Sequence, residues 1–241
     1  MDFAALARRY HETGFLIVDE VFTAQKTAEI ERELKRYIAD LKPEEIPGNV
    51  VYEAGDEQKI RNIFRLAADP YFDSLARDSQ VTELGRAIFD DEPILFGVEL
   101  FGKPARVGSE VPYHQDNAYF NLLPDDAFTC WVALADSNEE NGCVRYIEGS
   151  HKLGNLPHRP SGVKGNSMGL AEMPKSVGDE VCGIVPRGGA IIHHCNTIHR
   201  SEPNRSDRDR PGLLFVYKAA RCRIDGARAA NYSAVSAAVN G

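Results

Sequence analysis

The feature that most limits how this chain can fold is a change of pattern at Ile94. Before it, apolar residues recur mostly at helical spacing. After it, short runs rich in β-branched and aromatic residues are separated by Gly, Pro and Asn turns, which is the pattern of an all-β core. Phe128-Thr129-Cys130-Trp131-Val132-Ala133-Leu134 reads as a strand. Asn141-Gly142 is a strong turn dipeptide, and Gly188-Gly189 leads into a further strand through Ala190, Ile191 and Ile192.

The helical part is legible from its periodicity. Phe3, Leu6, Ala7 and Tyr10 share one face, and Gly14 ends that helix before an apolar strand from Phe15 to Val18. Ile30, Leu34, Ile38 and Leu41 mark a longer amphipathic helix that stops before Pro43, with Glu31 and Lys35 paired on its wet side. A third helix runs from Gln80 to Phe89 with Val81, Leu84 and Ile88 inward. The Ala/Ser-rich stretch after Asp225 reads as a weakly packed tail or a docked terminal helix. No repeat or linker divides the chain, so residues 1–241 are expected to form a single domain, long enough to bury a full core.

Composition excludes some classes of function. A formal net charge of −8 and a pI near 5.4 argue against a general nucleic-acid or anionic-membrane surface. No apolar run approaches the ~20 residues of a membrane span, and the first residues, with Asp2, Arg8 and Arg9, lack a signal-peptide core. Five cysteines without a Cys-x-x-Cys pair suit a reduced, cytoplasmic protein. Small molecules are the expected partners, and the sequence is silent on oligomeric state.

The chemistry is concentrated in Pro112-Tyr113-His114-Gln115-Asp116 and, far downstream, Ile198-His199-Arg200-Ser201. On a strand, residues i and i+2 share a face, so His114 and Asp116 can grip one ion while Gln115 points away. His199 from a second strand completes the set. Two imidazoles and one carboxylate on one face of an octahedral ion leave three adjacent positions open, the ligand set of a non-haem Fe(II) oxygenase. His193 and His194 are rival ligands. On an extended strand His194 and His199, five apart, face opposite ways unless the chain bends at Asn196, so His194 is expected to pack near the site or touch substrate and His193 to lie on the outer face.

The succession continues through Tyr119-Phe120, Trp131, Asn141-Gly142, Gly149-Ser150-His151-Lys152, Gly188-Gly189, His199, Asn204 and Arg210. Taken together it resembles the phytanoyl-CoA dioxygenase family of Fe(II)/2-oxoglutarate oxygenases, most densely from Lys103 to Lys218. The N-terminal Tyr10-His11-Glu12-Thr13-Gly14-Phe15 is similar to the family's opening helix and strand. The resemblance implies a double-stranded β-helix, or jelly roll, with flanking helices. It further implies a hydroxylase that uses iron, 2-oxoglutarate and dioxygen to attack an unactivated C–H bond.

Residue by residue, the resemblance implies His114, Asp116 and His199 as metal ligands. A cosubstrate carboxylate suits the planar fork of an arginine, and Arg205, Arg208 and Arg210 all crowd the relevant loop. The family's arginine follows the distal histidine by eleven residues, which selects Arg210. Ser201 and Trp131 match family residues beside the cosubstrate, and Lys59 occupies a place similar to a lysine that reaches it. Related halogenases lack the metal-binding carboxylate. Asp116 is present here, so hydroxylation is the expectation.

Two features fall outside the pattern. Glu99 interrupts the apolar run from Ile94 to Phe101, where the resemblance implies an apolar residue against the cosubstrate and a buried carboxylate needs a partner; it is expected to face solvent or to contact a polar or cationic group. Residues 155–178 read as one long irregular insert. Between His151 and Gly178, Lys152, Arg159, Lys164 and Lys175 outnumber Glu172, a net of +3 that suggests an electropositive lid for an anionic substrate. The alternative function is a non-catalytic metal- or 2-oxoglutarate-binding module of the same fold.

Overall fold

The computed structural model describes residues 2–41, 46, 48–77 and 79–240. Pro43, expected to bound the second helix, lies outside them. Helical periodicity produces α1 (Phe3–Thr13), whose first turn is capped by the Asp2 carboxylate accepting from the Ala5 amide at 2.9 Å. At its end Gly14 adopts φ +87°, and a Cβ there would run into His151 and Thr197, so only glycine lets the chain turn directly into β1 (Phe15–Val18). Next come α2 (Ala24–Ala39), the hairpin of β2 (Val50–Glu53) and β3 (Asp56–Ile63), then α3 (Pro70–Arg77) and α4 (Gln80–Phe89). Glu31 of α2 pairs with Arg187 at 2.7 Å rather than with Lys35, because it borders the body of the protein rather than open solvent.

Past this point the chain is almost all strand. The elements are β4 (Pro93–Lys103), β5 (Val111–His114), the single-turn α5 (Asn117–Phe120), β6 (Leu122–Leu123), β7 (Ala127–Ala133) and β8 (Val144–Ile147). There follow β9 (His158–Val163), β10 (Asn166–Leu170), β11 (Glu180–Cys182), β12 (Ala190–His194), β13 (His199–Ser201), β14 (Arg210–Ala219) and β15 (Arg223–Ile224). The terminal α6 (Gly226–Asn240) packs against α5, β9 and β10, so the Ala/Ser-rich end is a docked helix.

The strands form an antiparallel jelly roll. A seven-stranded sheet runs in the order β1-β12-β7-β14-β4-β3-β2 and a four-stranded sheet in the order β11-β8-β13-β5. Period-two alternation divides the large sheet cleanly. Phe128, Cys130 and Val132 of β7 and Leu213 and Phe215 of β14 face the helices, joining Tyr10, Ile30, Leu34, Phe72, Leu84 and Ile88 in the main core. Trp131 and Ala133 of β7 and Ile191 of β12 face the small sheet, where they meet Tyr146 of β8.

Residues 155–178 are not an irregular insert. They contain the β9–β10 hairpin, in which His158 pairs with Leu170 and Arg159 with Gly169. Pro160, Gly162 and Gly169 obscure its alternation in the sequence, yet Met168 and Leu170 are buried as strand residues should be.

Candidate metal and cosubstrate site

Between the two sheets lies a cavity of about 1600 Å³. His114 ends β5 and His199 begins β13, and the register of the small sheet places them directly opposite each other, with ring centroids 4.1 Å apart. Asp116 does not share a strand with His114. The strand stops at His114, and Asp116 takes helical angles (φ −61°, ψ −31°) ahead of α5, which swings its carboxylate back over the imidazoles. Gln115 points away as expected, donating to the carbonyls of Gly154 and Asn196 and accepting from the Leu156 amide.

The donor atoms of His114, Asp116 and His199 all lie within 4.8 Å of one another. Nδ1 of His114 is 2.9 Å from the Pro112 carbonyl, and Nδ1 of His199 is 2.9 Å from that of Thr197. A carbonyl only accepts, so each Nδ1 carries the proton and each Nε2 presents a lone pair to the site. Burial lowers the pKa of both rings, His199 the more strongly, and favours these neutral forms. Burial alone would raise the Asp116 carboxyl, but His199, His193 and His114 around it hold it below the usual carboxylate range.

The two oxygens of Asp116 face different groups. Oδ1 stands 3.7 Å from Nε2 of His114 and 3.5 Å from Nε2 of His199. Oδ2 accepts from the Thr129 hydroxyl at 2.6 Å and lies 2.9 Å from Nε2 of His193, whose Nδ1 is 3.3 Å from the Tyr146 hydroxyl. The expectation for His193 and His194 is therefore reversed. His193 faces the site, whereas His194 faces α1, 5.9 Å from the Tyr10 ring. The parity argument fails because β12 ends at His194 and the turn through Cys195–Ile198 carries the chain to the other sheet.

Arg210 begins β14 and stacks on Trp131, its Cζ 4.9 Å from the ring. It is buried, yet Nε and Nη1 have no hydrogen-bond partner among the described residues, and burial pushes the guanidinium down to about 10. Gly212 makes the stacking possible, because a Cβ there would occupy the space of the indole. Ser201 is buried on β13 and lines the same cavity. Lys59 is half-buried on β3 and off the cavity wall. The buried cation of that strand is Arg61, held by the Glu110 carbonyl at 3.1 Å and Asn166 Oδ1 at 3.0 Å. Glu99 is on the wall, and Lys164 at the β9–β10 turn lines it too. Arg159 and Lys152 do not.

Residues 10–212 match the family model described as phytanoyl-CoA dioxygenase (PhyH). The chain belongs to the phytanoyl-CoA dioxygenase family. It is accordingly an iron- and 2-oxoglutarate-dependent dioxygenase. It is 25% identical to an ectoine dioxygenase of Stutzerimonas stutzeri (strain A1501), over 89% of this chain and 76% of that protein. A probable alpha-ketoglutarate-dependent hypophosphite dioxygenase of Stutzerimonas stutzeri is 28% identical over 90% of this chain and 79% of its own length. Among solved structures, the epimerase SnoN in complex with Fe3+, alpha ketoglutarate and nogalamycin RO superposes with a TM-score of 0.75 at 23% identity, over 95% of this chain and 88% of that one. EctD from S. alaskensis with bound Fe gives 0.74 at 24% identity, over 92% and 78%. These two structures share the fold.

The residues present suit the cofactors of the family. Two neutral imidazole nitrogens and a carboxylate oxygen converge as an iron ligand set requires. The unpartnered nitrogens of buried Arg210 suit the distal carboxylate of 2-oxoglutarate.

Proposed function

We propose that this protein hydroxylates a small metabolite at an unactivated C–H bond, with its chain acting as one catalytic domain in the cytoplasm. The observation that supports this best is the pairing, within one cavity, of the His114–Asp116–His199 cluster with buried Arg210, whose Nε and Nη1 have no hydrogen-bond partner among the described residues. Bound iron and 2-oxoglutarate supply dioxygen activation, the cosubstrate leaving as succinate and carbon dioxide. His114 and His199 would hold the metal through the Nε2 atoms they turn to the site, and Asp116 through Oδ1, the oxygen that faces them. Thr129 and His193 fix Oδ2, so the carboxylate cannot rotate away from the metal.

Arg210 receives the distal carboxylate of the cosubstrate, with Ser201 beside it, and Trp131 forms the adjoining wall and keeps water from the guanidinium. The β9–β10 hairpin and α6 cover the cavity, Lys164 from the first and Tyr232, Ser233 and Ser236 from the second. An anionic group on the substrate is met there by Lys164. Lys59 has no part in this reading, because it stands off the wall.

The test is succinate formation by the iron-loaded protein across carboxylates, phosphonates, amino acids and acyl-CoA esters. Turnover coupled to one of them, with oxygen incorporated into the product, is expected. Binding of 2-oxoglutarate without coupled turnover for any of them would instead fit a non-catalytic binding module.

A further inference from the structure

Glu99 lies in the middle of β4, on the face of the large sheet that looks into the cavity. The register joins it to Leu214, which pairs in turn with Trp131, so the three form one inward row. The next row holds Gly97, Val216, Thr129 and His193, and leads to Asp116. A Cβ built on Gly97 would lie 3.7 Å from Oε1 of Glu99, so the carboxyl folds back along its strand toward the row that carries the metal site. Leu214, directly across from Glu99, lies four positions along β14 from Arg210, about 13 Å of strand, so the Glu99 backbone is set apart from the arginine assigned to the cosubstrate.

No hydrogen bond or ion pair from a described residue reaches this carboxyl. Burial and the charge of Asp116 push it up to about 8, as expected for an acid whose surroundings supply no cation. Glu99 is half-buried and opens onto the cavity, where no described residue gives it a cationic partner, so fold stability gives no reason for an acid at this place. A ligand that brings its own positive charge to this spot supplies the missing partner.

We infer that Glu99 receives a protonated amine of the substrate and holds it over the metal site, which makes the substrate an amine-bearing metabolite. This deepens the proposed hydroxylase reading and rests on it. With Lys164 at the hairpin turn, the cavity offers an acid within and a base at its cover, which fits a molecule carrying both an ammonium and an anionic group.

The test uses anaerobic protein loaded with Fe(II) and 2-oxoglutarate. The probes are L-lysine, L-ornithine, 6-aminohexanoate and putrescine, each alongside its N-acetylated counterpart. Two signals are read: perturbation of the iron–2-oxoglutarate absorption band and, after oxygen is admitted, succinate. At least one free amine should perturb the band and raise succinate formation, and its N-acetylated form should do neither. Glu99→Gln should weaken that amine by about 30-fold or more, Glu99→Asp should restore part of the affinity, and the Kd for 2-oxoglutarate should be unchanged in both. The inference is overturned if no free amine responds or if Glu99→Gln leaves amine binding intact. It is equally overturned if Glu99→Gln weakens 2-oxoglutarate itself, since Glu99 would then serve the cosubstrate. Absence of the band in the wild-type protein would remove the hydroxylase reading, and this inference with it.

Discussion

His193 lies 2.9 Å from Oδ2 of Asp116, the carboxylate oxygen other than the Oδ1 that stands nearest His114 and His199, and its ring packs 4.5 Å from that of His199. With the Thr129 hydroxyl at 2.6 Å it leaves Oδ1 as the oxygen facing the two imidazoles. Groups that orient a metal ligand in this way are typically worth ~10–100-fold in metal affinity. His193→Phe and Thr129→Val should each weaken Fe(II) binding by about that factor while the protein still folds. Equilibrium dialysis against Fe(II) under argon, with circular dichroism as the folding control, checks this.

Arg210 carries the second expectation. Arg210→Met should raise the KM for 2-oxoglutarate at least about 100-fold, because breaking a buried charge pair on one side costs about 3–5 kcal/mol. Arg208 is exposed, so Arg208→Met should do much less. Steady-state kinetics with 2-oxoglutarate as the varied substrate discriminates between them. A larger effect at Arg208 would show that the eleven-residue spacing from His199 selects the wrong arginine.

Glu99 should leave a signature in stability as well as in binding. Its folded pKa is raised to about 8 from the ordinary 4.5, so between these pH values the folded state holds a proton that the unfolded state has lost. Stability contributed through this group therefore falls as pH rises from 4.5 to 8. In metal-free protein, Glu99→Gln should match wild type near pH 5 and exceed it at pH 8.5, by on the order of 3 kcal/mol. Urea unfolding at the two pH values measures the difference.

Lys164 separates the two parts of the lid reading. Electrostatic capture of an anionic group weakens with salt, since the screening length falls from about 10 Å at 0.1 M to about 3 Å at 1 M. Once a substrate is in hand, kcat/KM should drop with ionic strength, and Lys164→Ala should blunt that drop. Arg159→Ala should not, because Arg159 is exposed and off the cavity wall.

The convergence of His114, Asp116 and His199 and the three amphipathic helices were legible from spacing and local periodicity, whereas Arg210 and Trp131 were singled out by the family resemblance. What escaped depends on where strands end. The sequence Ile192-His193-His194 does not announce that β12 stops before a turn to the other sheet, and that stop decides which histidine faces Asp116. Likewise β5 stops at His114, so Asp116 reaches the site from a helical turn rather than from a strand face. Turn residues within β9 and β10 masked a hairpin that burial of Met168 and Leu170 makes plain. Thr129 could have been found from the strand that displays Trp131, since residues two apart share a face.

The proposed hydroxylase requires His114, Asp116 and His199 to hold iron in a form that accepts 2-oxoglutarate. Adding 2-oxoglutarate to the Fe(II)-loaded protein under anaerobic conditions and recording the visible spectrum measures this. One Fe(II) per chain and a charge-transfer band are expected in wild type, and the band should vanish in each of His114→Ala, Asp116→Ala and His199→Ala. A band that persists undiminished in any one of the three would contradict the claim.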